Sequence, residues 1–172
     1  ISKDSEVSVA GSRMHAVGAK RLIAAGALGV ADPIYANDTL EGFDAWITEF
    51  WVTTVLDLVP AGWAIEVEAE MSVEFPRFFL TGHLDVLALS HDGAEAMILD
   101  LKTGYNPVDP ADCNWQLAGY AALLRVTVPT VQRVKLVIVQ PRNNPDEGYE
   151  RVSTADVDFG DMLDYLATDA AT

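Results

Sequence analysis

Between residues 63 and 101 the chain holds three consecutive β-type runs, at 63–73, 78–90 and 95–101. In the first, Glu66, Glu68 and Glu70 alternate with Ile65, Val67, Ala69 and Met71, so the three glutamates should share one strand face. His91-Asp92-Gly93 is a turn signal that makes the last two runs an antiparallel hairpin. Adjacent strands with this much apolar surface need helices packed on them. The flanking sequence supplies those helices. Met14, Val17, Leu22 and Ile23 recur at three- and four-residue spacing, predicting a helix over 8–27 that exits at Gly26 and Gly29. A second helix is expected from Asp38 or Thr39 to Leu58, stopped by Pro60-Ala61-Gly62. Beyond a loop at 103–110, a helix over 111–126 and a β-branched strand over 134–140 follow. A last helix over 154–166 would take Ser153 or Thr154 as cap, with Asp156 and Asp158 in its first turn. The expected fold class is α/β: a mixed β-sheet flanked by helices in the order α-α-β-β-β-α-β-α, one domain over 1–172.

Composition narrows the function. The length suits a single domain with a substantial core, and half of the residues are apolar. Cys113 is the lone cysteine, which rules out a disulfide framework and a cysteine-ligated zinc or iron–sulfur cluster within these residues. No apolar run is long enough to span a bilayer, and no signal peptide is visible, so a soluble protein of a reducing compartment is expected. The net charge of −15 argues against a general grip on phosphate backbones. It is concentrated in segments such as 156–169, whereas Arg77, Lys102, Arg125, Arg133, Lys135 and Arg142 lie in the central part.

That central part carries the chemistry. Asp100 and Lys102 are two apart at the end of a strand and should project from one face. An ordinary strand-end ion pair is the plain alternative. Asp85, however, sits within the apolar run 80–89, where a carboxylate is costly unless bound to something. Two aspartates from neighbouring hairpin strands repel, an arrangement that makes sense with a divalent cation between them. Gln116 and Tyr120 are four apart on one helical stripe; the Tyr120 ring could equally be core. Of the three glutamates, Glu70 is the favoured further ligand, with a solvated sheet face as the alternative. His15, a lone helical histidine, is read either as packing or as a ligand. His83 and His91 have no case of their own.

Together these residues resemble a family. Gly82-x-x-Asp85, Asp100-x-Lys102 and Gln116-x-x-x-Tyr120 resemble the PD-(D/E)xK nuclease signature in its RecB-like form, and Gly11-x-x-x-His15 matches that group's early histidine motif. Asn114-Trp115-Gln116-Leu117 and Gln140-Pro141-Arg142 further resemble RecB-type exonucleases encoded by bacteriophages and prophages. The resemblance implies a restriction-endonuclease-like core and a Mg²⁺- or Mn²⁺-dependent deoxyribonuclease leaving 5′-phosphates. His15, Asp85, Asp100 and the carbonyl of Leu101 would hold metal, Lys102 would be the catalytic lysine, and Glu70 the strand-borne glutamate. Gln116 and Tyr120 would support the site or contact DNA. Tyr105, Trp115 and Arg142 are expected strand contacts by stacking and phosphate pairing. Some relatives carry an iron–sulfur cluster; Cys113 alone cannot. The implied partners are DNA and either a recombination protein or further copies of the chain, in the cytoplasm of a bacterial host. The rival is a non-cleaving DNA-binding or protein-interaction module with the same fold; metal-dependent hydrolysis of another substrate is the third reading.

Overall fold

Six strands form one mixed sheet whose spatial order, β1-β2-β3-β4-β5-β6, is also the order in sequence. The computed structural model describes the backbone of residues 3–160 and the side chains of 8–160. Strand β1 (Leu28–Gly29) runs parallel to β2 (Ala64–Phe75), and β4 (Glu95–Leu101) parallel to β5 (Arg133–Val139). β3 (Phe78–Leu89) and β6 (Val152–Asp158) pair antiparallel to their neighbours. Parallel neighbours need a crossover. Helix α2 (Gly42–Leu58) makes the first and α3 (Trp115–Thr127) the second; α1 (Lys3–Ala24) precedes the sheet. This is a restriction-endonuclease-like α/β arrangement.

The two faces are covered by different helices. Met14 and Leu22 of α1 and Ile47, Trp51 and Val55 of α2 pack with Val86, Leu99 and Val137 on one face. Leu117, Ala121 and Leu124 of α3 pack with Leu84, Ile98, Leu136 and Ile138 on the other. Each such buried side chain contributes about 1.5–3 kcal/mol. No described helix is long and apolar enough to cross a membrane.

The strand alternation breaks at one place. Val67 belongs to the α1/α2 core, yet Ala69 and Met71 belong to the α3 core; likewise Val86 and Leu84 lie on opposite faces. Between them Glu68 adopts φ 52°, the lone positive φ outside glycine among the described residues. A left-handed non-glycine residue costs about 1–3 kcal/mol and is held by its surroundings. The consequence is that Glu66, Glu68 and Glu70 do not share a face.

The expected last helix is also corrected. Residues 152–158 are β6, paired along its whole length with β5. Val152, Ala155 and Val157 pack inward, and Asp156 meets Lys135 across the strands at 3.1 Å. Asp156 and Asp158 are thus every-second-residue strand positions rather than helix-start carboxylates. The part of that expected helix from 161 to 166 lies outside the described residues. The helix expected at 111 begins instead as a single 3-10 turn at Ala111–Cys113, and α3 proper is capped by Asn114, whose side chain accepts from Leu117 N at 3.1 Å.

Candidate active site

The β3–β4 ladder ends at Val86 opposite Leu99, one step short of Asp85 opposite Asp100. There the strands part, and the Asp85 side chain takes over: its Oδ2 accepts from Leu101 N at 2.7 Å. Its Oδ1 lies 3.1 Å from His15 Nδ1. Gly11 lets α1 bring that histidine in, since a Cβ at Gly11 would stand 2.9 Å from Thr103 Oγ1 in the loop after β4. His15, Glu68 and Asp85 each offer a ligand atom, all within 4.8 Å of one another. They line an open cleft of about 470 Å³ together with His83 and Thr103.

A second chain of contacts fixes the lysine. Lys102 Nζ stands 2.8 Å from Asp100 Oδ2 and donates to Gln116 Oε1 at 2.7 Å. Gln116 Nε2 donates to the Tyr120 hydroxyl at 2.9 Å. The Tyr120 ring in turn rests on bare backbone, because a Cβ at Gly82 would be 3.1 Å from its Cδ1 and 3.2 Å from Leu123 Cδ2. Gly82, Tyr120, Gln116, Lys102 and Asp100 are therefore one mechanical unit. Gly82→Ala should destabilise the fold by about 1–3 kcal/mol, the usual cost of overpacking. It should also loosen Lys102. Urea denaturation checks the first, and NMR relaxation of the Lys102 side chain the second.

Electrostatics single out Asp100. Burial foremost, then the Asp85 charge, push its pKa up to about 6 against the opposing pull of Lys102. Its Oδ2 is buried and, although close to the lysine, lacks the angle of a hydrogen bond. Burial works against protonation of His15, but Asp85 first and then Glu68 and Asp100 outweigh it and raise its pKa. The hydrogen bond to Glu68 raises that of His83. A buried carboxylate oxygen without a hydrogen bond, two repelling aspartates and a histidine–carboxylate trio are a donor set short of positive charge. They fit a divalent cation.

The folded pKa of Asp100 lies above its ordinary 3.8, so the folded state holds the extra proton between about pH 4 and 6. The stability this group contributes is present below pH 3.8 and is lost as the pH rises through about 6. Relative to Asp100→Asn, wild type in EDTA should lose on the order of 2 kcal/mol between pH 4 and pH 7. Urea denaturation of both proteins across that range would reveal it; parallel curves would contradict it.

A model of the PD-(D/E)XK nuclease superfamily matches residues 8–171. The chain belongs to that superfamily. No curated protein matches it. A solved structure described as "Crystal structure of SSO0001" aligns over 68% of this chain and 52% of that one, at 11% identity and a TM-score of 0.32. The chain spans about half the length of that protein.

Within this PD-(D/E)XK chain, Asp85 and Asp100 lie on neighbouring strands just past the last paired residues of β3 and β4, Lys102 stands against Asp100, and His15 joins Asp85 from α1; Asp100 is outside the trio of clustered ligand atoms. Glu70 does not join them. Its side chain is 83% exposed and reaches only His83 Nδ1, at 3.7 Å. Glu68 stands in its place because its reversed φ turns the strand, an event the alternation pattern cannot announce. Leu101 contributes its amide, to Asp85. Arg142 is spent inside the protein: Nε donates to Thr103 O at 2.8 Å, and the guanidinium lies between the Phe43 and Tyr105 rings. Tyr105 and Trp115 remain 69% and 87% exposed. His83, with no case of its own in the sequence, holds Glu68 Oε2 at 2.5 Å. Its place inside Gly82-His83-Leu84-Asp85 was the available signal.

Proposed function

We propose that this chain is a nuclease domain that hydrolyses DNA with Mn²⁺ or Mg²⁺, an exonuclease of the RecB-like type found in phages and prophages. The observation that carries the reading is the end of the β3–β4 ladder, where Asp85 in the interior of β3 and Asp100 near the end of β4 lie just past the last paired residues, with Lys102 held beside Asp100. His15, Glu68, Asp85 and Asp100 would hold the ion, with the Leu101 carbonyl as a further donor. One imidazole among carboxylates suits Mn²⁺ better than Mg²⁺. When bound, the ion supplies Lewis-acid charge at the scissile phosphate and a more acidic water.

The chain's own residues do the rest. Lys102, aimed by Asp100 and Gln116, presents an ammonium that can donate to the attacking oxygen as negative charge grows on it. Gln116 and Tyr120 keep that ammonium from swinging to solvent. Asp85, fixed through Leu101 N, keeps its other oxygen turned toward the cleft. In-line attack with the 3′ oxygen leaving gives 5′-phosphate ends. Tyr105 and Trp115 offer exposed rings on which bases could stack. The cellular setting we infer is DNA processing or recombination in the cytoplasm of a bacterial host, with a recombination protein or further copies of the chain as partner.

The test is incubation with linear, closed circular and single-stranded DNA, in Mn²⁺, Mg²⁺ or EDTA. Metal-dependent loss of linear DNA with closed circles spared is expected. Linearised circles would rule out the exonuclease, and intact DNA under every condition would rule out the nuclease in favour of a non-cleaving module.

A further inference from the structure

The β2–β3 hairpin runs on beyond the body of the protein. Residues 74–80 are exposed on both strands, and Phe78, Phe79 and Leu80 are 60%, 70% and 47% accessible. Exposed aromatic surface of this kind marks an interaction site. Pairing stays regular from Ala69↔Leu84 to Phe75↔Phe78, so side chains alternate strictly along this arm. Gly82 faces Tyr120 of α3, and Phe78 and Leu80 therefore share that side; Phe75 and Phe78 stack there, 4.7 Å between ring centroids. Phe79 and Thr81 consequently share the opposite side with His83, which lines the cleft.

Charge identifies what the arm meets. Among the described side chains Arg77, at the tip, is the one lysine or arginine without a hydrogen bond, ion pair or ring contact. Among the described residues of a chain of net charge −15, the one uncommitted cation thus stands two residues from the most exposed phenylalanine, Phe79. Glu70 and Glu74 lie on the Phe79 side and would repel a phosphate backbone laid along it. A strand on this side must present its bases to the arm, and only unpaired bases can do so.

We propose, building on the nuclease reading above, that the arm is a single-strand DNA contact in which Phe79 stacks on a base and Arg77 meets a neighbouring phosphate. Phe79 is six residues from Asp85, roughly 20 Å of strand. At the duplex rise of about 3.4 Å per nucleotide this span takes up about six nucleotides, and fewer where the single strand is extended.

The experiment measures binding of fluorescein-labelled oligodeoxythymidines of four to twelve nucleotides by anisotropy in EDTA, alongside Mn²⁺-dependent cleavage of the same series. Wild type should bind markedly tighter once the length passes about six nucleotides. Arg77→Ala/Phe79→Ala should lose that gain, about tenfold on the longest oligomer, the range expected for one base stack. It should still cut the shortest oligomers at the wild-type rate, and Phe79→Tyr should restore binding. Equal binding of the long oligomers by wild type and the double variant, while wild type cleaves DNA, overturns the arm and leaves the nuclease reading standing. A double variant that changes only the oligomeric state on size-exclusion chromatography overturns it too, in favour of a protein interface. If wild type neither binds nor cuts DNA, both readings fall.

Discussion

Lys102→Ala should lower the rate of Mn²⁺-dependent DNA cleavage by about 10²–10³-fold, the usual loss on removing one aimed donor from a developing charge. The fold should survive, since the Lys102 side chain is 23% exposed and stands at the end of β4 rather than in either core. Its removal withdraws the positive charge nearest Asp100, so the Asp100 pKa should rise further in the metal-free state. At pH 8 in EDTA the variant should therefore be less stable than wild type by about 1–2 kcal/mol, less than for a fully buried pair. Metal binding should persist or tighten, because a cation that competes for Asp100 has gone. The checking measurements are single-turnover cleavage rates and the thermal shift on adding Mn²⁺. Unchanged cleavage would remove Lys102 from the chemistry, whatever the stability did.

Asp85→Asn should show the opposite pairing of effects. Its carboxylate touches both His15 and the Leu101 amide and belongs to the trio around the cleft. Loss of its charge should abolish the Mn²⁺-induced thermal shift. Cleavage should fall by roughly 10³-fold or more, the equivalent of several kcal/mol of Lewis-acid stabilisation. Asparagine keeps an oxygen that can accept from Leu101 N, so the ladder's substitute hydrogen bond should remain. Relief of the Asp85–Asp100 repulsion should leave the metal-free variant at least as stable as wild type at pH 8. A large loss of stability in EDTA with the metal shift retained would mean that Asp85 serves the strand junction instead. Run side by side, the two variants separate a residue that acts on the reaction from one that holds the ion.

The contrast between Glu68 and Glu70 shows how far residue pattern reaches. Alternation assigns the three glutamates to one side, and nothing local marks Glu68 as the residue with reversed φ. That conformation is held by the long-range pairing of β2 with β3 and by the two cores that claim Val67 and Ala69. The start expected for the last helix fails for a related reason: residues 152–158 are strand and helical backbone begins only at Phe159. Serine, threonine and aspartate in 153–158 suit a helix start as well as an exposed edge strand, and only the presence of β5 as a partner decides. Arg142 shares this ambiguity: an arginine after a strand suits a phosphate equally well, until Phe43, Tyr105 and Thr103 are found around it.

The sequence by itself determined the order of the long strands and helices through β5, though not the two-residue β1, and the motif set Gly82, Asp85, Asp100, Lys102, Gln116 and Tyr120, because spacing within a strand or helix is a local property. It also determined that a carboxylate at Asp85 needs a partner, since burial inside an apolar run is legible from its neighbours. Only the tertiary structure decided which glutamate meets His15, where β3 and β4 part, and which cation is left uncommitted at the hairpin tip. Those outcomes depend on contacts between segments far apart in the chain, and such contacts leave no period in the sequence.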